Sequence, residues 1–377
     1  MFDVVVCGAG PAGSVAAIVL ARGGARVLLI DRARFPRDKL CGDTLNPGTL
    51  RHLSRLNLSD AVAAHSSPID GMIVSGERGA RIRAAYRRGA RGVSIVRRDL
   101  DQSLVDAAGS SGVRVEQGVL ARRPLVDSAG DGPRVRGIVV AGRNGADIRV
   151  PAPLVIAADG RRSRLALALH LIRHPPRPRR WAIGAYFENV DGLSAFGEMH
   201  VRRERYVGVA PLPSGLANIC CVSETTEGFQ DPAGALWAAI RADRDLAERC
   251  SRARMVTTPR ALGPLAVEAI ACGVPGLLLA GDAAGFIDPM TGDGLRFAIE
   301  GGELAGRAAL AALADGRAAH HRLAAWRKRA FSRKHRFNRA LRSLVAAPSA
   351  VLAASAVAHV APWAVRRLVD VAGDVRP

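Results

Sequence analysis

The chain of 377 residues has almost no lysine, few aromatic rings and, between Gly316 and Val369, no acidic residue at all. Aromatics at 4% exclude a scaffold built on ring packing, while 49% hydrophobic and 23% charged residues exclude a disordered or collagen-like chain. The six cysteines (Cys7, Cys41, Cys220, Cys221, Cys250 and Cys272) form no CxxC pair, which argues against a zinc site or a disulfide framework. Adjacent Cys220 and Cys221 fall in a predicted strand, where neighbours point to opposite faces, and read as packing residues. There is no HExxH, P-loop or GxSxG elbow, and the nine histidines are scattered, so any hard chemistry belongs to a bound cofactor and no metal is expected. No basic n-region precedes the first strand, so a cytoplasmic protein without a signal peptide is expected. The one long uncharged run, residues 345–365, is mostly alanine with Pro348, His359 and Pro362, and reads as a buried or interfacial helix pair.

What is present is arginine. The formal charge is +20, and twelve of the positive residues lie in the acid-free stretch, from Arg317 to Arg367. Such a face could meet anionic lipid or nucleic acid, or could simply be solvated. Trp326, Phe331 and Phe337 are the only Phe, Trp or Tyr between Arg317 and Arg342, so basic and stacking residues are not interleaved and no nucleic-acid partner is expected. In the tail, Leu323, Trp326, Ala330, Phe337, Leu341 and Leu344 could line one helix face, with Arg333 and Lys334 interrupting the stripe.

The N-terminus carries a nucleotide-binding pattern. An apolar run, Phe2 to Cys7, predicts a buried parallel strand and leads directly into Gly8-Ala9-Gly10-Pro11-Ala12-Gly13. In such a loop Gly8 makes the tight turn, Gly10 admits a pyrophosphate and Gly13 lets the following helix lie close on the strand, with Pro11 in its first turn. A second strand, Arg26 to Ile30, ends on Asp31, 18 residues after Gly13, where a carboxylate can accept ribose hydroxyls. Two further strands, Leu154 to Ala157 and Leu277 to Ala280, end in glycine turns with an acid, Asp159-Gly160 and Gly281-Asp282. The second continues through Pro289, Gly292 and Gly294 into a long Ala-rich helix, which presents another helix N-terminus.

Taken together, these segments resemble the FAD-dependent superfamily that contains p-hydroxybenzoate hydroxylase, the geranylgeranyl reductases and the flavin-dependent halogenases. The stretch Phe35-Pro36-Arg37-Asp38-Lys39-Leu40-Cys41-Gly42-Asp43-Thr44-Leu45-Asn46-Pro47 resembles the FPRxKxCGxxLxP segment of the geranylgeranyl reductase group. So does Pro289 to Gly294, which resembles its PxxGxG. The resemblance implies an α/β fold: a Rossmann-type (GR2-like) FAD-binding domain over residues 1–70, 97–172 and 272–318. Interleaved with it would be an α+β substrate domain with an antiparallel sheet over 71–96 and 180–267, followed by a basic helical tail over 319–377. His174 to Arg180 would be the linker, and Gly130 to Gly132 and Gly142 to Gly145 hairpin turns.

The resemblance also implies site residues. FAD would be held by Gly8, Gly10, Pro11, Ala12, Gly13, Asp31, Arg32, Cys41, Gly42, Arg97, Val119, Asp159, Gly160, Gly281, Asp282, Pro289, Gly292, Gly294 and Leu295. Cys41 would face flavin or substrate as a candidate catalytic group, or else be a buried small apolar residue. The substrate pocket would include Tyr206, Gly208, Ala210 and Pro211. Here the chain departs from the long-isoprenoid reductases, which carry Tyr-x-Trp-x-Phe-Pro where this sequence has Tyr206-Val207-Gly208-Val209-Ala210-Pro211, which leaves room for a wider substrate or changes what stacks on the flavin.

The expected activity is reduction of a carbon–carbon double bond in a lipophilic, isoprenoid or polyketide-like molecule. The alternatives are an FAD monooxygenase using NAD(P)H and oxygen, a halogenase, or a non-catalytic basic membrane- or nucleic-acid-binding protein. No second dinucleotide fingerprint is present, so NADPH or NADH docking transiently, or a separate electron donor, would supply the reductant. The basic tail is expected to give peripheral contact with anionic membrane.

Overall fold

The computed structural model describes residues 1–375 apart from 128–132, 143, 177–179, 227, 287–289, 291, 346–353, 355 and 357–360. The expected turn at Gly130 to Gly132, the middle of the 174–180 linker, Pro289 and much of the alanine-rich 345–365 run therefore lie outside the described residues.

A six-stranded sheet organises the N-terminal motif. Its order is Gly273–Val274, Leu277–Leu279, Leu154–Ala157, Val4–Cys7, Val27–Asp31 and Arg114–Gln117, all parallel except the first. The three strands of the motifs thus lie side by side, although the chain separates them by more than a hundred residues. Strand alternation sorts their side chains: Val4 and Val6 join a core with the helices Pro11–Arg22, Arg97–Ser110 and Gly294–Asp315. Val5 and Cys7 face Val135, Ile138 and Val140 of a three-stranded antiparallel sheet on the other side. Burial on both faces explains why these strands read as continuous apolar runs. The edge strand Arg114–Gln117 is mostly polar, and apolar patterning does not reveal it.

A second sheet of eight strands runs Arg254–Met255, Trp181–Glu188, Ala217–Ser223, Arg205–Pro211, Phe196–Arg202, Gly71–Ser75 and Arg81–Ala85, with Arg260–Leu262 paired off Trp181–Glu188. Residues 71–85 join it through a parallel pairing with Phe196–Arg202. Its odd-numbered side chains Ile183, Phe187, Val207 and Ile219 pack on the helices Pro232–Arg241 and Arg244–Arg249. The even-numbered Ala182, Tyr206, Cys220 and Val222 pack on the opposite face.

The helix Gly294–Asp315 ends on Gly316 in the left-handed conformation (φ 69°), and the chain turns back into the helix Ala319–Val345. The buried stripe of that helix is Leu323, Arg327, Phe331, Lys334 and Asn338, a helical spacing in which a basic residue is part of the stripe. This corrects the expectation that Lys334 interrupts it. The Lys334 ammonium donates to the carbonyls of Val371 (2.8 Å) and Ala372 (2.6 Å) and pairs with Asp293 at 3.3 Å. Arg327 donates to the Ala284 carbonyl at 3.0 Å. The outer face still carries exposed Lys328, Arg329, Arg333, Arg336 and Arg339. The last helix, Pro362–Ala372, lies on Arg81–Ala85 through Val365, Ile82 and Ala84. Among the described residues no helix is long and apolar enough to cross a membrane.

Candidate functional site

The glycine loop is built so that nothing larger would fit. Gly8 has φ 102°, and a Cβ there would stand 2.4 Å from the Ala158 carbonyl oxygen; at Gly13 it would stand 1.7 Å from the Gly8 oxygen. At Gly10 such a Cβ would meet only the flexible tip of Arg37, at 3.4 Å. The helix Pro11–Arg22 presents its N-terminal amides and positive dipole end to a cavity lined by Gly10, Pro11 and Ala12. Asp31 clamps the loop: its carboxylate accepts from the amides of Ala9 and Ala33, each at 2.8 Å. Four lone-pair sites on a carboxylate leave capacity for ribose hydroxyls beyond these two bonds. Arg32 is exposed beside it, and the Val119 amide donates to the Asp31 carbonyl at 2.8 Å.

The other two glycine turns converge on the same space. Gly160 has φ 86°, and Asp159 caps the next turn by accepting from the Arg164 amide at 3.1 Å, which leaves its buried Oδ1 without a hydrogen-bond partner. Gly281, with φ 60°, abuts Ala12, whose Cβ would lie 2.8 Å from a side chain at that position. One cavity is lined by Gly10, Pro11, Ala12, Lys39, Cys41, Gly42, Asp43, Arg97, Gly160, Gly281, Asp282, Gly292, Gly294 and Leu295. It thus gathers most of the residues singled out in sequence; of the rest, Gly8, Gly13, Asp31 and Val119 shape or back the loop, and Pro289 is not described.

Residues 37–46 form the floor. Arg97 is buried and grips Asp101 one turn on, through bonds of 2.9–3.0 Å. Burial pushes the Cys41 thiol above its ordinary 9.0, with the Arg97 charge pulling the other way, so Cys41 is a neutral thiol facing the cavity. Lys39 also lines it, its ammonium pushed down by burial and by Arg97. Asp43 is a residue that the motif reading passes over. It has φ 51° and no exposed surface, and its carboxyl accepts from Asn218 Nδ2 at 2.7 Å. Burial pushes it up from 3.8 to about 7, against the pull of Tyr186, Arg97 and Asn218.

A second, apolar cavity of about 260 Å³ adjoins the first and shares Gly42, Thr44, Cys220 and Gly292 with it. Its sheet wall is the face of Tyr206 and Cys220: Met72, Val74, Tyr206, Gly208, Ala210, Asn218, Cys220 and Val222, joined by Met199 from the strand Phe196–Arg202, where the odd residues take this face. Cys220 thus faces a cavity, not merely a packed core. Gly208 lies between Met199 and Cys220 in the ladder, a low point on the wall, and Pro211 stands at the end of the same strand. The opposite wall comes from the tail, with Leu341, Val365, Leu368, Val369 and Ala372. On the helix-backed face of the sheet, Glu198, His200 and Asp245 bring ligand atoms within 4.8 Å of one another. Arg249 occupies Glu198 bidentately (2.6 and 2.8 Å) and Arg202 holds Asp243 at 2.6 Å, so the cluster is an ion-pair network.

A family model described as an FAD binding domain matches residues 1–340. The chain belongs to this FAD-binding family. Menaquinone reductase of Mycobacterium tuberculosis (strain ATCC 25618 / H37Rv) is 32% identical over 319 residues, 80% of this chain and 75% of that protein. Digeranylgeranylglycerophospholipid reductase 1 of Methanopyrus kandleri is 32% identical over 333 residues, 83% of this chain and 82% of that one. Among solved structures, a flavoprotein/dehydrogenase from Cytophaga hutchinsonii superposes with a TM-score of 0.84 at 22% identity, covering 98% of this chain and 92% of the other. The flavin-dependent brominase Bmp2 does so with 0.85 at 18%, covering 99% and 94%. At these identities the structures speak for the fold alone.

As an FAD-binding family member, the protein has the donor set its cofactor needs. The bare Gly8–Gly13 loop and helix N-terminus fit a pyrophosphate, and Asp31 fits a ribose. The orphaned Asp159 Oδ1 and the open Gly281–Asp282 turn fit further hydroxyls of the dinucleotide. The chain is an FAD-dependent oxidoreductase.

Proposed function

We propose that this protein reduces an isolated carbon–carbon double bond in a lipophilic, isoprenoid-type molecule. The observation that carries the reading is the apolar cavity joined to the cofactor cavity at Gly42–Thr44, with Met72, Met199 and Met290 in its lining. Methionine walls adapt to flexible apolar chains, and the absence of a ring at Gly208 and Ala210 leaves width for a bulky head or branched tail. Relatives named as reductases of a polyprenyl quinone and of a geranylgeranyl glycerolipid support the same substrate class. Reduced FAD supplies a hydride when bound. The chain's own residues seat the alkene against Gly42, exclude water with the tail helix and keep a proton source nearby. NADPH or NADH docking transiently, or a separate donor protein, recharges the cofactor.

The tail also faces outward. Trp363 is 69% exposed, beside exposed Arg366 and Arg367, on the helix whose inner face covers the cavity. An aromatic–basic edge of this kind suits an anionic membrane surface from which a lipid substrate would enter. The test is incubation of FAD-loaded, dithionite-reduced protein with polyprenyl quinones, geranylgeranyl glycerolipids and planar polyketides, followed by mass analysis. Gain of two hydrogens by a prenyl substrate is expected. Products that gain oxygen, formed only in air, would assign a monooxygenase instead.

A further inference from the structure

The group that the fold isolates most completely beside the cofactor cavity is a carboxyl. Asp43 has no exposed surface and lines the cofactor cavity between Gly42 and Thr44, the two neighbours that both cavities share. Two anchors fix it. Its carbonyl accepts from the Ile95 amide at 2.9 Å, and Asn218 Nδ2 donates both to its Oδ2 (2.7 Å) and to the Cys41 carbonyl (2.6 Å). Its other oxygen, Oδ1, is buried without a well-formed hydrogen bond, and the Tyr186 hydroxyl and the Arg97 amide are the remaining donors that bear on the carboxyl. A buried carboxyl with so few well-formed bonds can hold a proton to give.

We propose that Asp43 is the proton donor for double-bond reduction in this site. The proposal rests on the reductase reading above. With a hydride supplied to one alkene carbon by reduced FAD when bound, the π pair would take the proton from the Asp43 O–H bond at the other carbon, and Asp43 would be left as a carboxylate. The alkene gains two electrons and two hydrogens, and the flavin loses two electrons. A dihydronicotinamide or an equivalent two-electron donor restores the flavin.

The surroundings suit that role. Burial raises the Asp43 carboxyl to about 7, so both states are accessible near neutrality. The charged and titratable groups that bear on it are Arg97, Tyr186, Cys41 and Cys220. The two thiols are both pushed up by burial from 9.0, which leaves them weaker acids than Asp43. Tyr186 supplies a return path: its side chain bears on Asp43 and also lines a third cavity with Asp38, Thr257, Thr258 and Arg260, which shares Lys39, Leu40 and Cys41 with the cofactor cavity, so a proton can re-enter from that side.

The test uses the full-length protein in two ways. In the FAD-free protein, infrared spectroscopy should show a protonated-carboxyl band at pH 6 that fades toward pH 9 and is missing in Asp43→Asn. In FAD-loaded protein, Asp43→Asn should bind FAD within about threefold of wild type by fluorescence, yet be reoxidised by a prenyl alkene anaerobically at least about a hundredfold more slowly and without the wild-type pH dependence. Tyr186→Phe should slow repeated turnover more than the first turnover, and should move the pH profile of the first turnover upward, because Tyr186 pulls the Asp43 carboxyl down. Wild-type reoxidation rates and pH profile in Asp43→Asn, absence of the Asp43-dependent band, or loss of FAD binding on this isosteric change would each overturn the assignment. Failure of the wild type itself to be reoxidised by any alkene would instead reject the reductase reading on which the proposal rests.

Discussion

Single side chains decide both whether the cofactor stays and what fits beside it. Asp31 ties the amides of Ala9 and Ala33 through charge-assisted bonds worth about 1.5–3 kcal/mol each. Asp31→Ala should therefore weaken FAD binding by on the order of tenfold or more, read by flavin fluorescence; unchanged affinity would remove Asp31 from the clamp. Gly208 makes the opposite case, because a Cβ there meets nothing nearer than 3.9 Å. Gly208→Trp should fold normally, fill the apolar cavity and raise KM for bulky substrates roughly tenfold or more. Equal kinetics with both residues would place the substrate elsewhere. For Asp43, the folded carboxyl lies at about 7, above its ordinary 3.8, so the folded state holds an extra proton between these values and stability falls as pH rises through that window. Asp43→Asn removes this loss. Its melting temperature relative to wild type should rise from pH 5 to pH 8, and a pH-independent difference would contradict the buried-acid description.

At the scale of elements, the tail is held by charge as much as by packing. Lys334 is buried in the helix Ala319–Val345 and takes the last carbonyls of the helix Pro362–Ala372, where an ammonium satisfies orphan acceptors and the negative dipole end. It also balances Asp293, which starts the helix Gly294–Asp315 and accepts from Asn46 and Asn338. Lys334→Ala should cost about 1–3 kcal/mol by removing the buried ammonium from Asp293 and from the carbonyls of Val371 and Ala372, and should release the C-terminal helix to limited proteolysis. An unaltered digestion pattern would show that the apolar contacts of Val365 suffice. Sequence patterning misses this because it scores Lys334 as a break in an apolar face, and the partners that bury it, Val371 and Ala372, come from a helix nearly forty residues on. The nucleotide loop is the contrary case. Its constraints, a positive φ at Gly8 and a backbone contact at Gly13, are local, so the glycine spacing and the acid 18 residues later announce them.

For the whole molecule, two sheets meet over one space: the mostly parallel sheet supplies three glycine turns for the cofactor, and the mostly antiparallel sheet supplies an alternating wall for the adjoining apolar cavity. The first was legible because each turn follows its own strand. The chemistry of the second was not, since Asp43 becomes a buried acid only when Asn218 and Tyr186, some 140 to 175 residues further along, close over it. Nor does periodicity show that the tail completes the substrate cavity. The central claim is that flavin and an apolar alkene react directly across Gly42–Thr44, without oxygen. The most direct measurement is the flavin absorbance of the pre-reduced, FAD-loaded protein mixed anaerobically with a prenyl alkene in a stopped-flow instrument. The account predicts return of the oxidised flavin band at a rate that depends on the alkene and with one product formed per flavin. A band that returns only when air is admitted, at a rate set by oxygen, would contradict it.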